Sequence, residues 1–120
     1  SHIKENFIAR HAGQVSRDNC DHEMGRRGLI TTSDSNLCRD THTFIGAPAS
    51  RVKSICERAG APYVGTLTRS FQSFPIVVCH LKNRTARFPY CQYHGRAETR
   101  HLAIQCEQGY PVHFEREIFG

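Results

Sequence analysis

The 120-residue chain carries 16 Lys and Arg against 11 Asp and Glu, a formal net charge of +5, with six Cys, eight His, no Trp and one Met. At this length one modest core is feasible, but a hydrophobic share of 38% leaves apolar burial thin against conformational entropy. The composition excludes a membrane-spanning helix, which needs roughly 20 consecutive apolar residues, as well as a repeat array and a low-complexity chain, and leaves a single domain over residues 1–120.

From Ile3 to Ala12 the apolar residues Ile3, Phe7 and Ile8 recur at helical spacing, and His11, four residues after Phe7, falls at the edge of the buried stripe. The polar stretch Gly13 to Asn19 reads as a loop, followed by a short helix around Asp21 to Arg27 that Gly28 terminates. Thr31 to Asn36 reads as another loop, and Cys38 to Ile45 as strand-like. Pro48-Ala49-Ser50 starts a third helix with Val52, Ile55 and Cys56 on one face. Gly60 to Gly65 is turn-rich. From Tyr63 onward the pattern is β: Phe71 to Leu81 with its run Ile76-Val77-Val78, alternating Leu102, Ile104 and Cys106, then Val112 and Phe114. Helices first and strands afterwards predict an α+β domain with an antiparallel sheet.

Cys20, Cys38, Cys56, Cys79, Cys91 and Cys106 are even in number, well spaced and without a C-x-x-C pair, which points to disulfides in an oxidising compartment. Six cysteines allow about fifteen pairings, and spacing does not choose among them. The zinc alternative, resting on Cys38 with His42 and Cys91 with His94, lacks the tight pairs of structural zinc sites, so neither a metal nor a cofactor is expected. Asn83-Arg84-Thr85 is a glycosylation acceptor pattern, and no signal peptide stands at the start, so the chain reads as a mature, secreted, extracellular product.

Among the basic residues only Lys4, Lys53 and Lys82 are lysines. Arginine's planar fork suits phosphate oxygens, and the positive excess draws polyanions: nucleic acid, heparin-like sugar or an anionic membrane. In the last strand, alternation places Val112 and Phe114 on one face and His113 with Glu115 on the other, where a carboxylate two residues on orients an imidazole. Taken singly, His11 also fits a packed histidine, and His113 with Glu115 an ordinary ion pair.

The order of motifs narrows these alternatives. Cys38-Arg39-Asp40-Thr41-His42-Thr43-Phe44 resembles the C-K-x-x-N-T-F signature of the pancreatic-type ribonucleases, matching at Cys38, Thr43 and Phe44. Phe7 with His11 resembles the segment around that family's first catalytic histidine, and Pro111-Val112-His113-Phe114 the segment around its second. Six cysteines, Arg26-Arg27-Gly28-Leu29, Cys91-Gln92-Tyr93 and the ending Glu117-Ile118-Phe119 are closer to the angiogenin branch than to the digestive enzymes.

The resemblance implies three short helices on a V-shaped antiparallel sheet, with bridges Cys20 to Cys79, Cys38 to Cys91 and Cys56 to Cys106. It implies a monomeric endoribonuclease that cleaves single-stranded RNA or tRNA 3′ to pyrimidines through a 2′,3′-cyclic phosphate. His11 is then the general base, His113 the general acid, and Arg39 the transition-state stabiliser in the family's lysine position. Arg10, Thr43, Phe114 and Glu107 become substrate contacts, Glu115 orients His113, and Arg116 obstructs the pyrimidine site. Arg26 and Arg27 match a basic cluster used in nuclear uptake, with Gly25 leaving one arginine fewer, and Arg58 to Thr66 matches a cell-binding region in position. Further partners implied are cell-surface polyanions, anionic bacterial membranes and a ribonuclease inhibitor. Arg39, Arg10 in a glutamine position, His42 in an asparagine position and Glu115 in an aspartate position depart from the family pattern and predict a weak enzyme, while the likeness to the angiogenin branch implies angiogenin-like signalling. The competing expectation is a cationic antimicrobial or heparin-binding protein whose role does not need catalysis.

Overall fold

The computed structural model describes residues 2–32 and 35–119. Among them the chain forms helices α1 (His2–His11), α2 (Cys20–Arg26) and α3 (Ala49–Lys53), the last continued by a 3₁₀ turn, Ser54–Cys56. Six strands complete the fold: β1 (Thr41–Ile45), β2 (Gly60–Pro62), β3 (Leu67–Ser70), β4 (Phe74–Leu81), β5 (Tyr93–Glu107) and β6 (Tyr110–Ile118). The part assigned to Ile3 in the first apolar stripe, and the middle of the loop read from Thr31 to Asn36, lie outside the described residues and side chains.

All strand pairs are antiparallel, in the order β1-β4-β5-β3-β2, with β6 on β5. The fifteen-residue β5 joins the two halves of the sheet: residues 93–100 pair with β4, and 101–107 with β6. Its first half is polar, with His94, Arg96, Ala97 and Thr99 exposed, so no apolar alternation announces it. Backbone pairing to the apolar β4 supplies the order that side-chain patterning lacks.

Two differences from the expected elements have local causes. Gly60–Pro62, expected as turn, is a strand paired with β3, because Gly60 packs its backbone against the Ile55 carbonyl where any Cβ would collide. The run from Phe71 begins pairing at Phe74, after a bend in which Phe71 is exposed. Register shifts between β5 and β6 at Ala103/Ile104 and Gln105/Cys106 bring Leu102, Ala103 and Ile104 all to buried positions, where strict alternation would have exposed one.

One core gathers Phe7 of α1 with Ile45, Val52, Ile76, Leu102 and Ile104. A second gathers Met24, Leu29, Phe44, Val77 and Tyr93 around Cys20 and Cys79. The bridges are Cys20–Cys79, Cys38–Cys91 and Cys56–Cys106, closing separations of 59, 53 and 50 residues. Joined to each other, Cys38 and Cys91 have no thiolate left for a metal, which removes the zinc alternative. Loops of this size each remove on the order of 4 kcal/mol of unfolded-chain entropy, compensating for the small apolar share.

Candidate active site

The end of α1, the segment entering β1, β4 and β6 enclose a cleft of about 610 Å³. His11, Arg10, Arg39, His42, Thr43, His113, Phe114, Glu115 and Arg116 all line it.

His11 is the last residue of α1, carried to the sheet by the burial of Phe7 one turn earlier. Its Nδ1–H donates to the Thr43 carbonyl at 2.8 Å, which fixes the tautomer and leaves Nε2 as the free nitrogen. Three rings confine the imidazole: Phe7 at 4.7 Å, His42 at 4.5 Å and Phe114 at 5.5 Å between centroids. Burial pushes its pKa down to about 4, opposed by the bond to Thr43 and reinforced by the positive charges of Arg10, His113 and Arg39. At neutral pH His11 is therefore a neutral proton acceptor.

His113 is exposed and stands in the middle of β6. Its Nε2–H donates to Glu115 at 3.0 Å, the pairing that strand alternation predicted, and Nδ1 remains to carry a second proton.

Arg39 is held at three points. Its amide donates to the Ile30 carbonyl at 2.7 Å, its carbonyl accepts from the Tyr93 hydroxyl at 2.6 Å, and its Nε–H donates to the Leu29 carbonyl at 2.7 Å. Both Nη groups stay uncommitted in these contacts. Burial, and after it the charge of Arg10, lower its pKa from the usual arginine value. Arg10 in turn has a buried Nε without a hydrogen-bond partner among the described residues. Two cations thus share one cleft, an arrangement that favours an anion between them.

His42 is buried, with its Nε2–H donating to the Arg10 carbonyl at 2.8 Å and its pKa pushed down to about 3, mainly by burial. Sequence reasoning treated it as a departure and saw nothing of its packing.

Of the other expected residues, only Arg116 lines the cleft. Glu107 is exposed at the end of β5 opposite Tyr110 and does not line the cleft. Arg116 lines the cleft with its guanidinium over the Tyr63 ring at 5.8 Å. Arg26 and Arg27 do not form a joint surface cluster. Arg26 is exposed, whereas the Arg27 side chain is 8% exposed, donates to Glu23 and to the Ala9 and Ala12 carbonyls, and lies over Phe44. Glu23, bonded to both, has its pKa held down to about 2, chiefly by Arg26 and also by Arg27. The helical spacing from Glu23 to Arg27 was visible in the sequence, yet the two carbonyls and the Phe44 ring that bury Arg27 are brought by tertiary structure.

Residues 1–115 match the family model for pancreatic ribonuclease. A ribonuclease of Chelonia mydas is 36% identical over 120 residues, covering 95% of this chain and 97% of that protein. Angiogenin of Mus musculus is 37% identical over 118 residues, covering 95% and 77%. The X-ray structure of zebrafish RNase5 superposes with a TM-score of 0.86 at 37% identity, over 94% of this chain and 92% of that one. The chain therefore belongs to the pancreatic ribonuclease family, with angiogenin-like relatives. It is a ribonuclease, and its substrate is RNA.

Proposed function

We propose that the chain is an exported endoribonuclease that cuts single-stranded RNA or tRNA on the 3′ side of pyrimidines by transphosphorylation. The observation that carries the reading is the complementary state of two imidazoles in one cleft. His11 is kept neutral by burial with its tautomer fixed by the Thr43 carbonyl, and His113 is oriented by Glu115 with Nδ1 left over. Nε2 of His11 takes the proton of the 2′-hydroxyl, the 2′-oxygen bonds to phosphorus, and the bond from phosphorus to the 5′-oxygen breaks. Nδ1–H of protonated His113 delivers its proton to that leaving oxygen. The products are a 2′,3′-cyclic phosphate and a free 5′-hydroxyl, and each proton transfer contributes typically about 10²- to 10⁴-fold.

Arg39 and Arg10 supply positive charge where the phosphoryl oxygens gain negative charge. Thr43 and Phe114 stand beside His11 and give the pyrimidine a hydrogen-bonding edge and a ring to pack on. Attenuation is supported by three features: a base as weak as His11, a guanidinium tethered to Leu29 in place of a compact ammonium, and Arg116 in the cleft lining. Three disulfides support export to an oxidising compartment, and relatedness to mouse angiogenin supports extending the reading to angiogenin-like signalling. The buried Arg27 gives no support to uptake into the nucleus through a paired arginine cluster.

The test is end-mapping of tRNA digested by the native protein and by His113→Ala. The expected fragments end in cytidine or uridine 2′,3′-cyclic phosphates that the variant no longer makes. Cuts indifferent to pyrimidines, linear 3′ ends from the first minutes, or cleavage that survives in His113→Ala would contradict the proposal.

A further inference from the structure

We propose that His42 is a positioning residue for the reaction: an aromatic wall that holds the base His11 in register and keeps water from one face of its ring. The inference rests on reading His11 as the base.

His42 precedes Thr43 on β1 and is only 6% exposed despite its polarity. Its ring lies nearly parallel to that of His11, 4.5 Å away at 14°, and meets Phe44 edge-on at 4.8 Å and 67°. On the other side of His11 the Phe114 ring is 5.5 Å away at 26°. The imidazole is thereby held between β1 and β6.

The polar end of His42 has a separate task. After Ala12 donates to Ile8, the next amide, Gly13, turns away to the Ile45 and Ala47 carbonyls, so the helix stops and the Arg10 carbonyl is left without a helical donor. Nε2–H of His42 donates to it at 2.8 Å. The end of α1 is thus fastened to β1 by two adjacent bonds in opposite senses, His42 to Arg10 and His11 to Thr43. The ring orientation of His11 follows from the pair.

The arrangement requires a neutral His42. Burial, joined by the positive or potentially positive charges of His11, Arg39 and Arg10 that face it, holds its pKa down to about 3. His113 also faces His11, itself bonded to Glu115. His42 therefore stays uncharged at neutral pH, as a stacked wall needs. An asparagine, the residue that the family resemblance puts here, could still donate to the Arg10 carbonyl but would leave that face of His11 open.

Two readouts on the native protein, His42→Asn and His42→Phe test this: the NMR titration of the His11 ring in the free protein, and the pH dependence of kcat/KM on a cytidine-containing dinucleotide. In His42→Asn the His11 midpoint is expected to rise by about one pH unit or more as one face is hydrated. The acid limb of kcat/KM is expected to move with it, and kcat to fall several-fold at neutral pH with little change in KM, because the lost register of His11 outweighs its gain in basicity. His42→Phe restores the wall without the hydrogen bond, and is expected to return the midpoint to its native position. A midpoint unchanged in His42→Asn, or not restored in His42→Phe, overturns the proposal. The NMR readout needs no turnover, so a protein that cleaves no RNA would refute the functional reading while leaving the role of His42 decided separately.

Discussion

Two neutral imidazoles in the cleft, one buried and one half-buried, make the fold acid-sensitive well above the carboxylate range. In the unfolded chain His11 and His42 regain an ordinary pKa of 6.5, whereas in the native state burial holds them at about 4 and about 3. Between these limits the unfolded chain binds two protons that the native state refuses, so stability falls as pH falls. Linkage gives a slope of about 1.4 kcal/mol per pH unit for each proton, about 2.7 for both. From pH 7 to pH 5 the two sites together remove about 4 kcal/mol, a large share of a stability that for domains of this size is about 5–15 kcal/mol. Glu23 acts in another window: its pKa lies below the usual carboxylate value, so its contribution is lost only as pH drops from about 4.5 toward 2. Guanidinium unfolding followed by circular dichroism at pH 7, 6 and 5, with disulfides intact, measures the slope. His42→Phe should roughly halve it. A free energy that stays flat between pH 7 and 5 would refute the reasoning.

Arg39→Lys should raise kcat/KM on a dinucleotide about tenfold, because a compact ammonium released from the Leu29 carbonyl centres on the phosphoryl oxygens; an equal or lower rate shows that the tethered guanidinium is already aligned. Arg27→Ala should destabilise by about 3 kcal/mol in equilibrium unfolding, since it strips a partner from buried Glu23 and leaves the Ala9 and Ala12 carbonyls unbonded. Arg26→Ala, at an exposed partner, should cost less than about 1 kcal/mol, and equal losses would contradict the distinction. Replacing Cys56 and Cys106 together by Ala should lower stability by about 4 kcal/mol in the same assay while leaving the pH profile of catalysis unmoved, because that bridge lies apart from the cleft lining.

Much of this molecule was legible in its sequence, for reasons that differ from element to element. Helix α1 announced itself through the apolar spacing that buries Phe7, and strand β4 through a run, Ile76 to Cys79, that is apolar and buried on both faces. The first half of β5 did not, because its side chains are polar and partly exposed and its order comes from hydrogen bonds to β4. The bridges followed from the family resemblance; spacing alone left the pairing open. In the cleft, the pairing of His113 with Glu115 was readable from two-residue alternation. The contacts of His42 were not, since they join residues 32 positions apart and arise only when α1 lies across β1. Arg27 shows the same limit from the opposite side. In the sequence it is one of two adjacent basic residues, and only tertiary packing against Phe44 and the Ala9 and Ala12 carbonyls separates it from Arg26.

The central claim is that His11 and His113 act on RNA as base and acid in one step. Its most direct test is the initial rate of cytidylyl-adenosine cleavage by the native protein, His11→Ala and His113→Ala at neutral pH. The account predicts a native rate that falls by about 10²-fold or more in each single variant and no further than the larger single loss in the double, because the two transfers belong to one transition state. A native-like rate in either single variant would contradict it.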